Sequence, residues 1–420
     1  MNHVVLYWLA LVAGSVVLGA SVVALLIAER TLEPVSAVSA VLGFIAASWG
    51  LGQISASYAG ADAIGYALFF GAGAIAGGYA LASTLLARLA LRSRPPAIAE
   101  DLAEEESSPT VLLLSELEPP SYSARATASA LENLAEEGLL TASIWVLPFL
   151  FMAQKTRYRA AGGTSPGSGE LTAVAEALAR TLASKGITRV DTAACEGERS
   201  LALRVVAAVD RGFRTIIVAQ TFIAESLEVD RAKREVDALR LAERGITVSY
   251  AEPLWSSARC AALVSARALA VVGDLTTCGV VLVGQAQPEQ RSRLVGAFDT
   301  QESGFLNQVR MMLLDRGVSE EHVRIAWADW RSPEVTESVR HLAALGCRTV
   351  VVVPAGFPLD SITTMLDIHM AVRQARVDQS VNVLTLQAWH DDPGLVEALR
   401  STVLSVLEAP ERGALEAGSF

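Results

Sequence analysis

The chain has 420 residues, 52% of them apolar, and a mean hydropathy of +0.38, more than a water-soluble protein carries, so part of it belongs in lipid. A net charge of −11 and the lack of any Lys/Arg block exclude a nucleic-acid partner, because phosphate contacts need clustered cations. Cys195, Cys260, Cys278 and Cys347 are too widely spaced for a C-x-x-C zinc or redox pair and read as buried thiols of a reducing compartment.

The apolar excess comes first. Within residues 1–90 only Glu29, Arg30, Glu33, Asp62 and Arg88 are formally charged. The runs Val4 to Ala28, Val35 to Tyr58 and Ala63 to Leu91 each suffice to cross the hydrocarbon core. No basic segment precedes the first run, and two more follow it, which favours three transmembrane helices over a cleaved leader. Arg30 between the first two runs and Arg88, Arg92 and Arg94 at the end of the third predict a multi-pass cell-membrane protein with its soluble part in the cytoplasm. The membrane domain is read as 1–92. Residues 93–109, Pro-Pro followed by Glu104, Glu105 and Glu106, form an acidic linker that cannot build a core.

Short β-branched runs then alternate with amphipathic stretches. Val111 to Leu114, Ile144 to Leu147, Val190 to Thr192, Thr215 to Val218 and Thr247 to Tyr250 read as strands, with helices over Glu170 to Ser184, Arg199 to Val209 and Val229 to Glu243. The alternation restarts at Val280 to Val283 and continues through Val323 to Ala326, Thr349 to Val353 and Val383 to Leu386; Ser332-Pro333 reads as a helix N-cap and first turn. The predicted fold is α/β: two doubly wound parallel-sheet halves, 110–278 and 279–410, facing a cleft, with a tail over 411–420.

Four segments carry a family resemblance: VLLLSELEPPSYS from Val111, RYRAAGGTSPGSGELTAVAEALARTL from Arg157, WRSPEV from Trp330 and VVVVPAGFPLDSITTMLDI from Val350. In order and spacing they resemble the class II chelatases, and among them ferrochelatase, the lyase of haem biosynthesis that inserts ferrous iron into a porphyrin. The resemblance covers nearly all of the region after the linker. It implies ferrous iron and porphyrin as substrates or ligands, and as partners membrane lipid, porphyrin or haem, and proteins of the haem pathway.

Insertion removes two pyrrole protons while a metal approaches the ring, so a site needs a base, acids and a flat apolar cleft. The resemblance places Gln285 where the family has its His and Thr363 where it has its Glu, and an amide and a hydroxyl cannot serve as bases near neutral pH. Asp360, in Gly356-Phe357-Pro358-Leu359-Asp360, and Asp367, seven residues on and so two α-helical turns along the same face, match acidic positions and are the expected catalytic and metal-binding groups. Asp360 as a helix N-cap is the competing structural role. Glu196 and Glu198 lie near a strand end, and Cys195 beside them is a possible haem-iron ligand or a buried thiol. Phe149, Phe222, Trp330 and Phe357 are the candidate faces for a planar ring.

Two functions follow: a membrane-anchored ferrochelatase with a substituted base, or a catalytically degenerate chelatase fold that binds porphyrin or haem or serves as a scaffold. A shorter-type cobalt or nickel chelatase ranks last, since His3, His322, His341, His369 and His390 do not form the set of strand-end imidazoles such enzymes place at their cleft.

Overall fold

The computed structural model describes residues 3–58, 61–86, 96, 98, 104–106 and 108–417. Arg88, Arg92, Arg94 and most of the acidic linker lie outside these. The chain forms two compact units.

The helical unit contains α1 (His3–Ile27), α2 (Glu33–Ser57) and α3 (Ala61–Leu86). Each is long and apolar enough to cross a membrane; at 1.5 Å per residue a helix of 25 residues reaches about 37 Å. Small residues let the backbones meet. A Cβ at Gly78 would lie 2.2 Å from the Val16 carbonyl oxygen, so α3 crosses α1 at van der Waals contact.

Residues 121–164 belong to the same unit. They form α4 (Ala124–Glu136) and α5 (Leu147–Ala160). The strand expected over Ile144 to Leu147 is absent; the segment turns into α5, with Pro148 in the first turn, where proline's missing N–H costs nothing. Lys155 of α5 is buried, donates to the Leu25 carbonyl (3.0 Å) and pairs with Glu33 (2.8 Å), which Arg159 also reaches. Tyr122 Oη donates to the Ile27 carbonyl, and Tyr79 Oη to the Trp145 carbonyl, its ring stacked on that indole at 5.6 Å.

The second unit holds two four-stranded parallel sheets. β1 (Thr110–Ser115), β2 (Val190–Ala194), β3 (Thr215–Gln220) and β4 (Thr247–Tyr250) are ordered β2-β1-β3-β4. β5 (Cys278–Gly284), β6 (Val323–Trp327), β7 (Thr349–Val353) and β8 (Asn382–Thr385) repeat that order as β6-β5-β7-β8. Both sheets are covered on two faces, which is why TVLLLS, TIIVAQ and TVVVV read as near-continuous apolar runs.

Between the sheets lie α6 (Gly167–Leu182), α9 (Ala258–Ala270), α11 (Phe298–Asp315) and α14 (Pro393–Ala417). Leu178, Val264, Phe305 and Leu399 from these helices share one core with strand residues of both halves. α7 (Leu201–Val209) and α8 (Leu227–Asp237) cover the outer face of the first sheet; α12 (Val335–Ala344) and α13 (Ile368–Ala375) cover that of the second. α10 (Glu289–Leu294) is a short helix after β5. The second half therefore does not begin α12 at Ser332-Pro333: Glu334 is the N-cap, in a reciprocal pair with Glu337.

Candidate functional site

In each sheet the chain leaves the first strand to one side and the third to the other, so the carboxyl ends of β1 and β3, and of β5 and β7, are topological switch points where ligands settle. Glu116 is the first residue after β1, and Gln285 the first after β5. The two halves thus present a carboxyl and an amide at corresponding strand ends.

Glu116 is exposed to solvent, although protein groups crowd it. Enclosure pushes its carboxyl up to about 8, with Glu228, Glu118 and Glu196 adding and Arg291 opposing; its access to water moderates the shift. Burial also raises Glu196, with Arg231 opposing and Glu228 and Glu235 adding. Arg291 of α10 crosses from the second half to pair with Glu228 of α8 at 2.5 Å. Cys195 is buried, and burial reinforced by Glu116, Glu228 and Glu196 holds its thiol well above the usual range, a setting unsuited to a thiolate ligand.

In the second half, the turn after β5 hangs on Glu302 of α11. Its Oε1 accepts the Gln285 N–H at 2.7 Å and its Oε2 the Ala286 N–H at 3.2 Å. These bonds hold Ala286 in the left-handed region, at φ 60°. Glu302 is 1% exposed, and burial pushes it up to about 7 against the two N–H groups and Arg331. Gly284 is required beside it, because a Cβ there would meet the Trp327 ring at 2.6 Å.

The segment after β7 departs from α spacing. Ser361 is the N-cap: its Oγ accepts the Thr364 N–H, while Thr364 Oγ1 accepts the Ser361 N–H. Asp360 precedes the cap and is buried. Thr363 to Asp367 form a π-helical turn leading into α13, a distortion common at functional sites. Thr363 and Asp367 are both half-buried, and the wider turn removes the 3.6-residue spacing on which a shared face for Asp360 and Asp367 would rest.

Asp360 Oδ1 accepts the Thr364 hydroxyl at 2.7 Å and the Ala388 N–H at 3.1 Å, while Oδ2 faces His390 Nε2 at 3.0 Å. Glu170 of α6 accepts the Asp360 N–H at 2.8 Å, and its other oxygen lies 3.7 Å from His390 Nδ1. Burial raises Glu170, Asp360 and Asp391 adding to it and the Asp360 N–H and His390 opposing. Glu118 accepts from the Ile362 N–H (2.8 Å) and Ser165 Oγ (3.0 Å). Carboxylates of the first half thereby hold the turn that carries Asp360, Thr363 and Asp367.

The four aromatic candidates are not gathered. Phe222 and Phe357 are packed in the outer cores of the first and second halves. Trp330 is 61% exposed on the loop after β6, and Phe149 belongs to the helical unit, beside Tyr79 and Trp145. Sequence reasoning passed over Glu116, Glu170, Glu302 and His390. The signal for Glu116 is its place directly after an apolar strand; Glu302 sits mid-helix with no such mark.

Two parallel four-stranded halves of identical strand order give the α/β architecture that the chelatase resemblance leads one to expect. Residues 319–407 match the ferrochelatase family. A ferrochelatase of Thermosynechococcus vestitus is 31% identical over 90 residues, 21% of this chain and 23% of the relative, so the match spans about a quarter of that protein's length. Among solved structures, SirB from Bacillus subtilis with Fe3+ is 14% identical, covers 72% of this chain and 97% of its own, and superposes with a TM-score of 0.45. A multi-domain protein of Deinococcus radiodurans with structural similarity to chelatases is 16% identical, covering 70% of this chain and 54% of its own at a TM-score of 0.39.

Proposed function

We propose that this protein inserts ferrous iron into a porphyrin at the membrane, with Glu116 in place of the missing imidazole. What supports the reading is the place of Glu116, directly after β1 at the switch point and among other carboxylates, where crowding raises its carboxyl and lets it exchange protons closer to neutral pH. The reaction consumes a porphyrin and Fe2+ and yields the iron porphyrin and two protons. Glu116 takes the two pyrrole protons in turn and Glu196 and Glu228 pass each to water, while Asp367 on the π turn serves the metal side. Gln285 and Thr363 line the path as polar groups without a proton to exchange. Asp360 acts through its bonds to Thr364 and Ala388 as the anchor of that turn, and Trp330 offers an exposed ring for the macrocycle. The membrane helices keep the cleft near a lipid-soluble ligand, with the chelatase unit on the cytoplasmic side.

A second reading is a porphyrin or haem carrier or scaffold without turnover. Gln285 and Thr363 favour it, since both positions lack a titratable group. The test is full-length protein in detergent, titrated with protoporphyrin or coproporphyrin by absorbance and then given ferrous iron anaerobically. Conversion to the metalated spectrum above a metal-only control supports insertion; tight binding that stays metal-free supports the carrier; neither binding nor conversion sinks both.

A further inference from the structure

We infer that Glu170, Asp360 and His390 form a divalent transition-metal site that clamps the two halves of the chelatase unit together, separate from the porphyrin cleft chemistry. One ligand atom from each lies within 4.8 Å of the others. Ligands at about 2.1 Å around a tetrahedral ion stand about 3.4 Å apart; Asp360 Oδ2 lies 3.0 Å from His390 Nε2 and Glu170 Oε1 lies 3.7 Å from Nδ1, so an ion takes one ring nitrogen and draws the second carboxylate round to it.

The carboxylates are already oriented. Glu170 spends Oε2 on the Asp360 N–H, and Asp360 spends Oδ1 on Ala388 N–H and Thr364 Oγ1. Each therefore turns its other oxygen to the imidazole, Asp360 at Nε2 and Glu170 at Nδ1, as ligands fixed by outer hydrogen bonds do. Asp360 is 7% exposed whereas the His390 side chain is 32% exposed, which leaves a side on which water completes the shell. One nitrogen and two oxygens suit Zn2+, Fe2+, Mn2+ or Co2+ better than Ca2+ or Mg2+. Glu170 comes from α6 of the first half, Asp360 and His390 from the loops after β7 and β8, so one ion would tie both halves beside the π turn. The sequence hides this site: its members are 190 and 30 residues apart.

The test is metal binding by the full-length protein in detergent, stripped with EDTA and titrated with Zn2+ against a chromophoric competitor. We expect one equivalent per chain, weakened more than about tenfold in Glu170→Gln and in His390→Ala, and a zinc-dependent rise in Tm that His390→Ala abolishes. Glu116→Gln keeps the equivalent, so loss of iron insertion in that variant leaves this site standing. X-ray absorption of the Co2+-loaded wild type needs no variant: one imidazole among oxygen neighbours is expected. Unchanged affinity in both variants, an all-oxygen shell, or no equivalent bound at millimolar metal overturns the assignment and leaves an ion triad.

Discussion

A base must be deprotonated to take a pyrrole proton, and crowding raises the Glu116 carboxyl toward about 8, its exposure to water moderating the shift. Insertion should therefore rise from pH 7 to pH 9, and Glu116→Gln should lower the rate at pH 8 by about 100-fold while porphyrin still binds. Equal rates in the two proteins would remove Glu116 from the mechanism. Gln285→His restores an imidazole at the corresponding end of β5 and should raise insertion at pH 7; no change would mean that the second half does not face the ring centre. Glu302 gives a stability prediction. Its folded carboxyl titrates near 7 and its unfolded one near 4.3, so the unfolded state sheds its proton first. Stability therefore falls as pH rises between those values and levels off above. Glu302→Gln should flatten that fall, worth roughly 3–4 kcal/mol, as followed by Tm against pH; a parallel decline in the variant would refute it.

At the scale of elements, eight of the nine expected strands lie where β-branched runs mark them, since burial on both faces leaves an apolar signature that needs no context. Ile144 to Leu147 carries the same signature for another reason. It is the entry to α5, with Trp145 against Tyr79, and a four-residue apolar run cannot tell a strand from a helix start. The site was less legible. Gln285 and Thr363 stand at the ends of recognisable strands and turns, so their positions were readable; the π turn was not, because a one-residue widening leaves no compositional mark. Glu170 and His390 become a pair only when α6 meets the loop after β8. The helix crossing can be tested directly: Gly78→Leu would drive a side chain into the Val16 carbonyl and should separate α1 from α3. Loss of a Ser15–Gly71 cysteine crosslink, at a neighbouring contact of the same two helices, in that variant checks it, and retained crosslinking would argue that the helices meet elsewhere.

At the scale of the molecule, the end of α1, the start of α2 and the region around Tyr79 of α3 are each tied to the segment 121–164: Lys155 holds Leu25 and Glu33, Tyr122 holds Ile27, and Trp145 stacks on Tyr79. One end of the bundle is thus fixed to residues 121–164 of the same unit. Arg30 lies at that end, and a cation between spans is retained on the cytoplasmic side, whereas the opposite turn carries Asp62. Orientation then becomes a measurement with two informative positions. Cysteine at Leu32 should react with a membrane-impermeant maleimide only after the cells are opened, and cysteine at Ser57 should react in intact cells, the four native thiols being buried. The reverse pattern would place the chelatase unit outside, away from the reducing compartment that keeps iron ferrous. The insertion reading would then fail on supply of its metal, and a porphyrin carrier would be the function left for the same cleft.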